Sequence, residues 1–225
     1  MNFDAFLKAI DFDMLSNLIP QMLKASLVTL EVFFLTLVLS VPLGFIVCFG
    51  RMSKNAVVRE IIKFYLLIMR GTPLILQLIF FYFAPANLFG VTIPRFWAAI
   101  LAFVLNYAAY FCEIFRSGIE SIPIGQKEAA TILGFNKVQT FFRISLPQVI
   151  KRILPPMGSE CMTLVKDTAL AQTIGVAEMF RLAQTATTRE FSIIPIFVAG
   201  IFYLIMNSIV SASFNKMEKS LSYYD

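Results

Sequence analysis

The residues best placed to do chemistry are Glu160, Lys166 and Asp167, because they interrupt an otherwise apolar run from Ile153 to Ala177. A charged side chain in hydrocarbon costs about 3 kcal/mol, so these three must face protein or a watery cavity. Glu160 and Asp167 stand seven residues apart, two turns of a continuous helix, and therefore share a face. Two carboxylates along one wall of a cavity attract a cationic group, and a reduced dielectric strengthens that attraction. Lys166 points about 100° away from Asp167 and can neutralise a carboxylate or hold a backbone carbonyl. The alternatives are helix–helix hydrogen bonds, or acid/base roles in a membrane-embedded enzyme. No nucleophile–base constellation accompanies the pair, which counts against an enzyme. The chain has no histidine, and so lacks the side chain behind most metal sites and general bases. Cys48, Cys112 and Cys161 lie in apolar stretches without CxxC spacing and read as small core residues rather than metal or disulfide partners. No phosphate-binding G-x4-G-K-[ST] run, G-x-S-x-G or H-E-x-x-H occurs. Nucleotide hydrolysis must come from another subunit, and no cofactor or metal is expected in this chain.

These residues need a scaffold, and composition says which kind. Hydrophobic residues make up 58% of the chain, charged residues 15%, and mean hydropathy is +0.77. Soluble domains average about 45–50% apolar. The reading is an all-α integral membrane protein, a single transmembrane domain over residues 1–225 with about five helices. The expected spans are about 26–50, 72–89, 96–115, 153–177 and 191–214, with a polar loop over 117–152. Residues 1 to about 25 carry mixed charge without a basic n-region or small-residue cleavage site. They read as a short amphipathic stretch at the membrane surface, not a signal peptide. Thr72 and Pro73 are placed to cap and start the second span. Glu113 and Arg116 can pair across one turn, and Arg70 reads as a headgroup anchor or local ion-pair partner. Pro155, Pro156, Gly158 and Gly175 predict an irregular fourth span, the means by which transporters expose backbone groups to a ligand.

The net charge of +5 is read as topology rather than as nucleic-acid binding. Twelve Lys and Arg residues fall on the side of the 117–152 loop and five on the other. The positive-inside rule then puts this loop and the C-terminus in the cytoplasm and the N-terminus outside. An odd number of spans requires the same opposition of the ends.

The 117–152 loop is itself patterned. Glu128 to Leu133 are good helix formers apart from Thr131, and Gly134 can adopt the positive φ that ends a helix. A second short helix can start at Lys137, and Pro147 is expected to stop or kink it. Phe135, Phe141, Phe142 and Ile144 supply an apolar face, so the hairpin would suit docking of a soluble partner.

Glu128-Ala129-Ala130, Gly134, Ile144, Leu146 and Pro147 fit the pattern EAA-x3-G-x9-I-x-LP at every fixed position. This resembles the cytoplasmic EAA loop of bacterial ABC importer permeases. Arg70-Gly71-Thr72-Pro73-Leu74, Glu113 to Ile119, Leu154-Pro155-Pro156 and Lys166-Asp167-Thr168 resemble the polar amino-acid branch, that of histidine, glutamine and arginine permeases. The resemblance covers roughly residues 20 to 215 and implies an ABC type I importer permease fold in the bacterial inner membrane. It implies a non-catalytic subunit that works with a second permease copy, identical or related. Two copies of an ABC ATPase would bind ATP and magnesium, and an extracytoplasmic solute-binding protein would deliver an amino acid. Glu128, Ala129, Ala130, Gly134, Leu146 and Pro147 would couple to the ATPase, and Glu160 and Asp167 would contact substrate. An acidic residue at the Glu160 position resembles members handling arginine, lysine or histidine. Glutamine, glutamate or cystine are the alternative substrates. A solitary secondary transporter is the rival mechanism, disfavoured because no internal repeat is visible.

Overall fold

The computed structural model describes residues 12–221, so residues 1–11 of the expected amphipathic N-terminal stretch lie outside the described residues. Among the described residues every regular element is helical. The chain begins with α1 (Phe12–Arg51), whose 40 residues make a rod of about 60 Å, twice the hydrocarbon thickness. It starts well before the apolar run that marks the first expected span, because charge ends a hydropathy window without ending a helix. Asp13 in the first turn complements the helix dipole. Next come α2 (Ala56–Gly71) and α3 (Leu74–Phe89), separated by Thr72-Pro73. The Thr72 hydroxyl donates to the Ile68 carbonyl at 2.8 Å, closing the C-terminus of α2. The N-terminus of α2 is capped by Asn55, which accepts from Val57 N at 2.9 Å.

Then follow α4 (Arg95–Glu120), α5 (Ile124–Ile132), α6 (Lys137–Thr140), a π-helical turn over Phe141–Ser145, and α7 (Leu146–Asp167). The fourth expected span is irregular at its Gly175 end, where Gly175 adopts φ +85°, and not at its prolines. Pro155 and Pro156 lie inside α7, and the change to a 3₁₀ segment comes at Thr168–Ile174. Last come α8 (Met179–Glu190) and α9 (Ile194–Leu221). By length and composition α1, α4 and α9 can each cross a membrane, and α2 with α3 can form an interrupted fourth crossing. The helix α7 fails that test on its own because it carries the charges that need protein or water as neighbours.

The chain forms two compact units. One combines the chain up to Thr36 with Leu74–Phe103 and Thr163–Ile209. Its core packs Leu18 and Met22 of α1 against Ala183 and Ala186 of α8 and Ala199 of α9. The other combines Leu37–Pro73, Val104–Met162 and the chain from Val210. There Tyr107, Phe111, Cys112 and Phe115 of α4 are buried. Gly44 lets α1 approach α4 closely, since a Cβ at that position would lie 2.9 Å from Phe111 Cβ. Asn106 donates to the Met69 carbonyl at 2.9 Å, satisfying a backbone group that the break after α2 leaves open. Cys48, Cys112 and Cys161 are buried thiols.

Candidate functional site

In the second unit, α4 and α7 frame a cavity of about 480 Å³ whose lining includes Arg70, Tyr110, Glu113, Arg116, Arg152 and Glu160. Glu113 organises its wall. Its Oε2 lies 2.6 Å from Arg116 Nη2, the predicted one-turn pair, and 3.8 Å from Arg70 Nη1, while Oε1 lies 3.8 Å from Arg51 Nε. Arg116 also reaches forward one turn to Glu120 at 2.5 Å. The Arg70 guanidinium stands 5.4 Å from the centre of the Tyr110 ring, a cation–π distance. Arg152 donates to the Ser121 carbonyl and, at 2.8 Å, to its hydroxyl. Half-buried Glu160 therefore faces a cavity of mixed charge rather than a purely acidic one.

The two carboxylates paired by sequence spacing are not equivalent in this respect. Helix α7 is continuous through both, but Asp167 is its last residue, half-buried, and is not among the residues lining that cavity. Arg70 and Tyr110 could not be assigned to Glu160 from spacing, because they come from segments distant in the chain, whereas Arg152 stands eight residues before Glu160 on the same helix α7.

The patterned loop forms a helical hairpin. Helix α5 carries Glu128, Ala129 and Ala130, of which Ala130 is buried and the other two exposed. Gly134 has φ +80°, and the bonds Gly134 N to Thr131 O at 3.0 Å and Phe135 N to Ala130 O at 3.0 Å close the turn. Asn136 and Gln139 form a reciprocal capping box on α6. Pro147 does not end the second helix. The π turn widens the helix just before it, and the helix runs on through Pro147 into α7. The half-buried Leu146 starts that helix. Gln148 donates to Gln126 at 2.5 Å, tying the two arms together. The expected apolar face is only partly presented: Phe142 is 60% exposed, whereas Phe135, Phe141 and Ile144 are half-buried. Ile132 at 86% and Leu133 at 74% supply the rest of the exposed apolar surface.

The first unit holds a carboxylate that sequence reasoning passed over. Glu178 is fully buried and caps α8, its oxygens accepting from Phe180 N and Arg181 N at 2.7 Å each and from the Tyr203 hydroxyl at 3.0 Å. Met179 N donates to Thr29 Oγ1 at 3.2 Å. An acidic residue just before a helical run is the one signal that could have marked it.

Comparison with known proteins places this architecture. The chain is 34% identical to the arginine transport system permease protein ArtQ of Bacillus subtilis over 217 residues, 96% of this chain and 99% of that one. It is 38% identical to the L-cystine transport system permease protein TcyB of the same organism over 199 residues, 87% of this chain and 84% of that one. A crystal structure of an amino acid ABC transporter with histidines superposes with a TM-score of 0.87 at 30% identity, covering 94% of this chain and 99% of that one. Residues 40–223 match the family described as binding-protein-dependent transport system inner membrane component, and the chain belongs to that family.

Proposed function

We propose that this chain is the membrane-spanning subunit of an ATP-driven amino-acid importer, with Glu160 contacting substrate and the α5–α6 hairpin docking on the ATPase. The observation that carries the substrate assignment is the cavity itself, where the Glu160 carboxylate shares the wall with the guanidinium groups of Arg70 and Arg152. Such a wall complements a zwitterion: Glu160 takes an ammonium or a cationic side chain, and an arginine takes the α-carboxylate. Similarity to an arginine permease supports a lean toward basic amino acids. Similarity to a cystine permease supports the alternative, a different polar amino acid in the same cavity. Asp167 serves in this proposal as a further contact where α7 gives way to the 3₁₀ segment.

The chain is a non-catalytic transport component, as its family membership implies. In the proposed complex two ATPase copies bind ATP and magnesium, a second permease copy completes the pore, and a solute-binding protein delivers substrate from outside. The hairpin and the C-terminus face the cytoplasm and the N-terminus faces outward, following the distribution of Lys and Arg. The exposed Ile132, Leu133 and Phe142 are apolar surface that an ATPase groove would cover. Glu128, Ala129, Ala130 and Gly134 shape one arm of that surface, and Leu146 and Pro147 join the other to α7.

The test is uptake of labelled L-arginine into proteoliposomes holding the permease, its ATPase and its binding protein. Uptake should require ATP. Gly134→Val puts a β-branched residue at a positive φ, at a cost of about 1–2 kcal/mol. Hydrolysis should then continue without stimulation by the loaded binding protein, while uptake falls at least about tenfold. Normal coupled uptake in that variant removes the hairpin from the coupling path, and uptake without ATP replaces the importer with a solitary carrier.

A further inference from the structure

The first unit contains another polar cleft, of about 340 Å³, lined by Tyr82, Arg95, Gln172, Thr173, Gly175 and Arg181 among others. Two cations converge there. A Cβ on Gly175 would lie 2.8 Å from Arg181 Nη1 and 3.0 Å from Arg95 Nη1, so the two guanidinium groups flank one point. Among the described residues no acidic side chain lines the cleft. Glu178, three residues from Arg181, is buried and its oxygens are engaged by Phe180 N, Arg181 N and Tyr203. The structural alternative is that both arginines serve the carbonyl end of the 3₁₀ segment. Two of those carbonyls already accept a backbone bond, Gln172 O from Gly175 N at 2.9 Å and Ala171 O from Val176 N at 3.2 Å. The side-chain bond seen for Arg95 goes to the Tyr82 hydroxyl at 3.3 Å instead.

Like charges held together repel, and an anion between them turns that repulsion into attraction. We propose that the Arg95–Arg181 cleft is a carboxylate-binding site. A carboxylate seated between two guanidinium groups gains charge-assisted hydrogen bonds from both, a geometry that lysines would not fix. The site is pre-organised: the Glu178 cap fixes the first turn of α8, which carries Arg181, and Tyr82 orients Arg95. The carboxylate is either the α-carboxylate of a free amino acid or an acidic side chain of the binding protein. The first source rests on the function proposed above.

Phenylglyoxal, which modifies guanidinium groups, reads occupancy residue by residue when labelling is followed by mass spectrometry. The sample is the permease–ATPase complex in nanodiscs, probed with acetate, with L-glutamine, with the α-amide of L-glutamine, and with the binding protein. Slowing of labelling at both Arg95 and Arg181 by acetate and L-glutamine, about fivefold or more, and not by the amide, supports the site and a free amino acid as its ligand. Slowing only with added binding protein supports the site with a partner side chain as its source. Unchanged labelling under all four conditions overturns the proposal. Arg181→Gln should abolish any protection at Arg95, and protection that persists there also overturns a shared site. If acetate protects while ATP-driven uptake is absent, the carboxylate site stands and the importer reading alone fails.

Discussion

Glu178 and Glu160 are both acidic residues in the polar part of an apolar chain, and their surroundings could hardly differ more. Glu178 is fully buried, and two backbone amides and a phenol hydroxyl converge on its carboxylate. Glu160 is half-buried on the wall of a cavity that guanidinium groups also line. The Glu178 carboxylate is enclosed by donors from its own neighbourhood. The Glu160 carboxylate borders space that a ligand can fill. Burial alone therefore does not mark a functional carboxylate in a membrane protein; open space beside the carboxylate is what makes room for a ligand.

That contrast can be broken experimentally. Glu178→Ala strands the amides of Phe180 and Arg181 and the Tyr203 hydroxyl in a buried setting, a loss on the order of 3 kcal/mol. The detergent-purified protein should melt roughly 10 °C lower. An unchanged melting temperature would mean that water replaces the cap and that Glu178 is not structural. Glu160→Gln should do the opposite, leaving the melting temperature in place while raising the uptake KM for L-arginine about tenfold, or about 1.4 kcal/mol. If melting falls and KM holds, Glu160 joins Glu178 as a packing residue and the substrate assignment is lost. Tyr203→Phe is the gentlest probe. It removes one of the three bonds to Glu178 and should cost about 1 kcal/mol with KM unchanged. A shift in KM there would tie the buried cage to substrate handling and blur the distinction.

The sequence disclosed these two regions unevenly. The hairpin was legible because it is local: Gly134, the helix formers before it and the short second helix lie within one stretch, and near neighbours decide their conformation. Glu160 was conspicuous because charge is costly among apolar residues. Its cavity was not legible, since Arg70 and Tyr110 meet only after the chain has folded. Glu178 stayed hidden for a different reason. It lies in a stretch with Arg181 and Gln184, where an acidic residue is unremarkable, and its burial is a tertiary property. Pro147 shows the limit of local rules: of the stop or kink that a proline imposes, the structure has no stop, because a π turn widens the helix just before Pro147 and the helix runs on through it. Thr72 closes the helix before it, a role that its place ahead of Pro73 does not announce.

The continuity of the hairpin's C-terminal arm has a mechanical consequence. From Phe142 through the π turn and along α7 to Glu160 the backbone is helical without a break, a path of about 27 Å at the α-helical rise. A displacement imposed at the hairpin reaches the Glu160 carboxylate through one stiff covalent strut. It need not be relayed through a series of side-chain contacts, each of which would absorb part of the motion. The compliance of this strut is concentrated at two places, the widened π turn with the adjoining Pro147 and the Pro155-Pro156 pair, where proline removes backbone donors. Stiffening or softening those two points tunes how much of a push at one end survives as movement at the other.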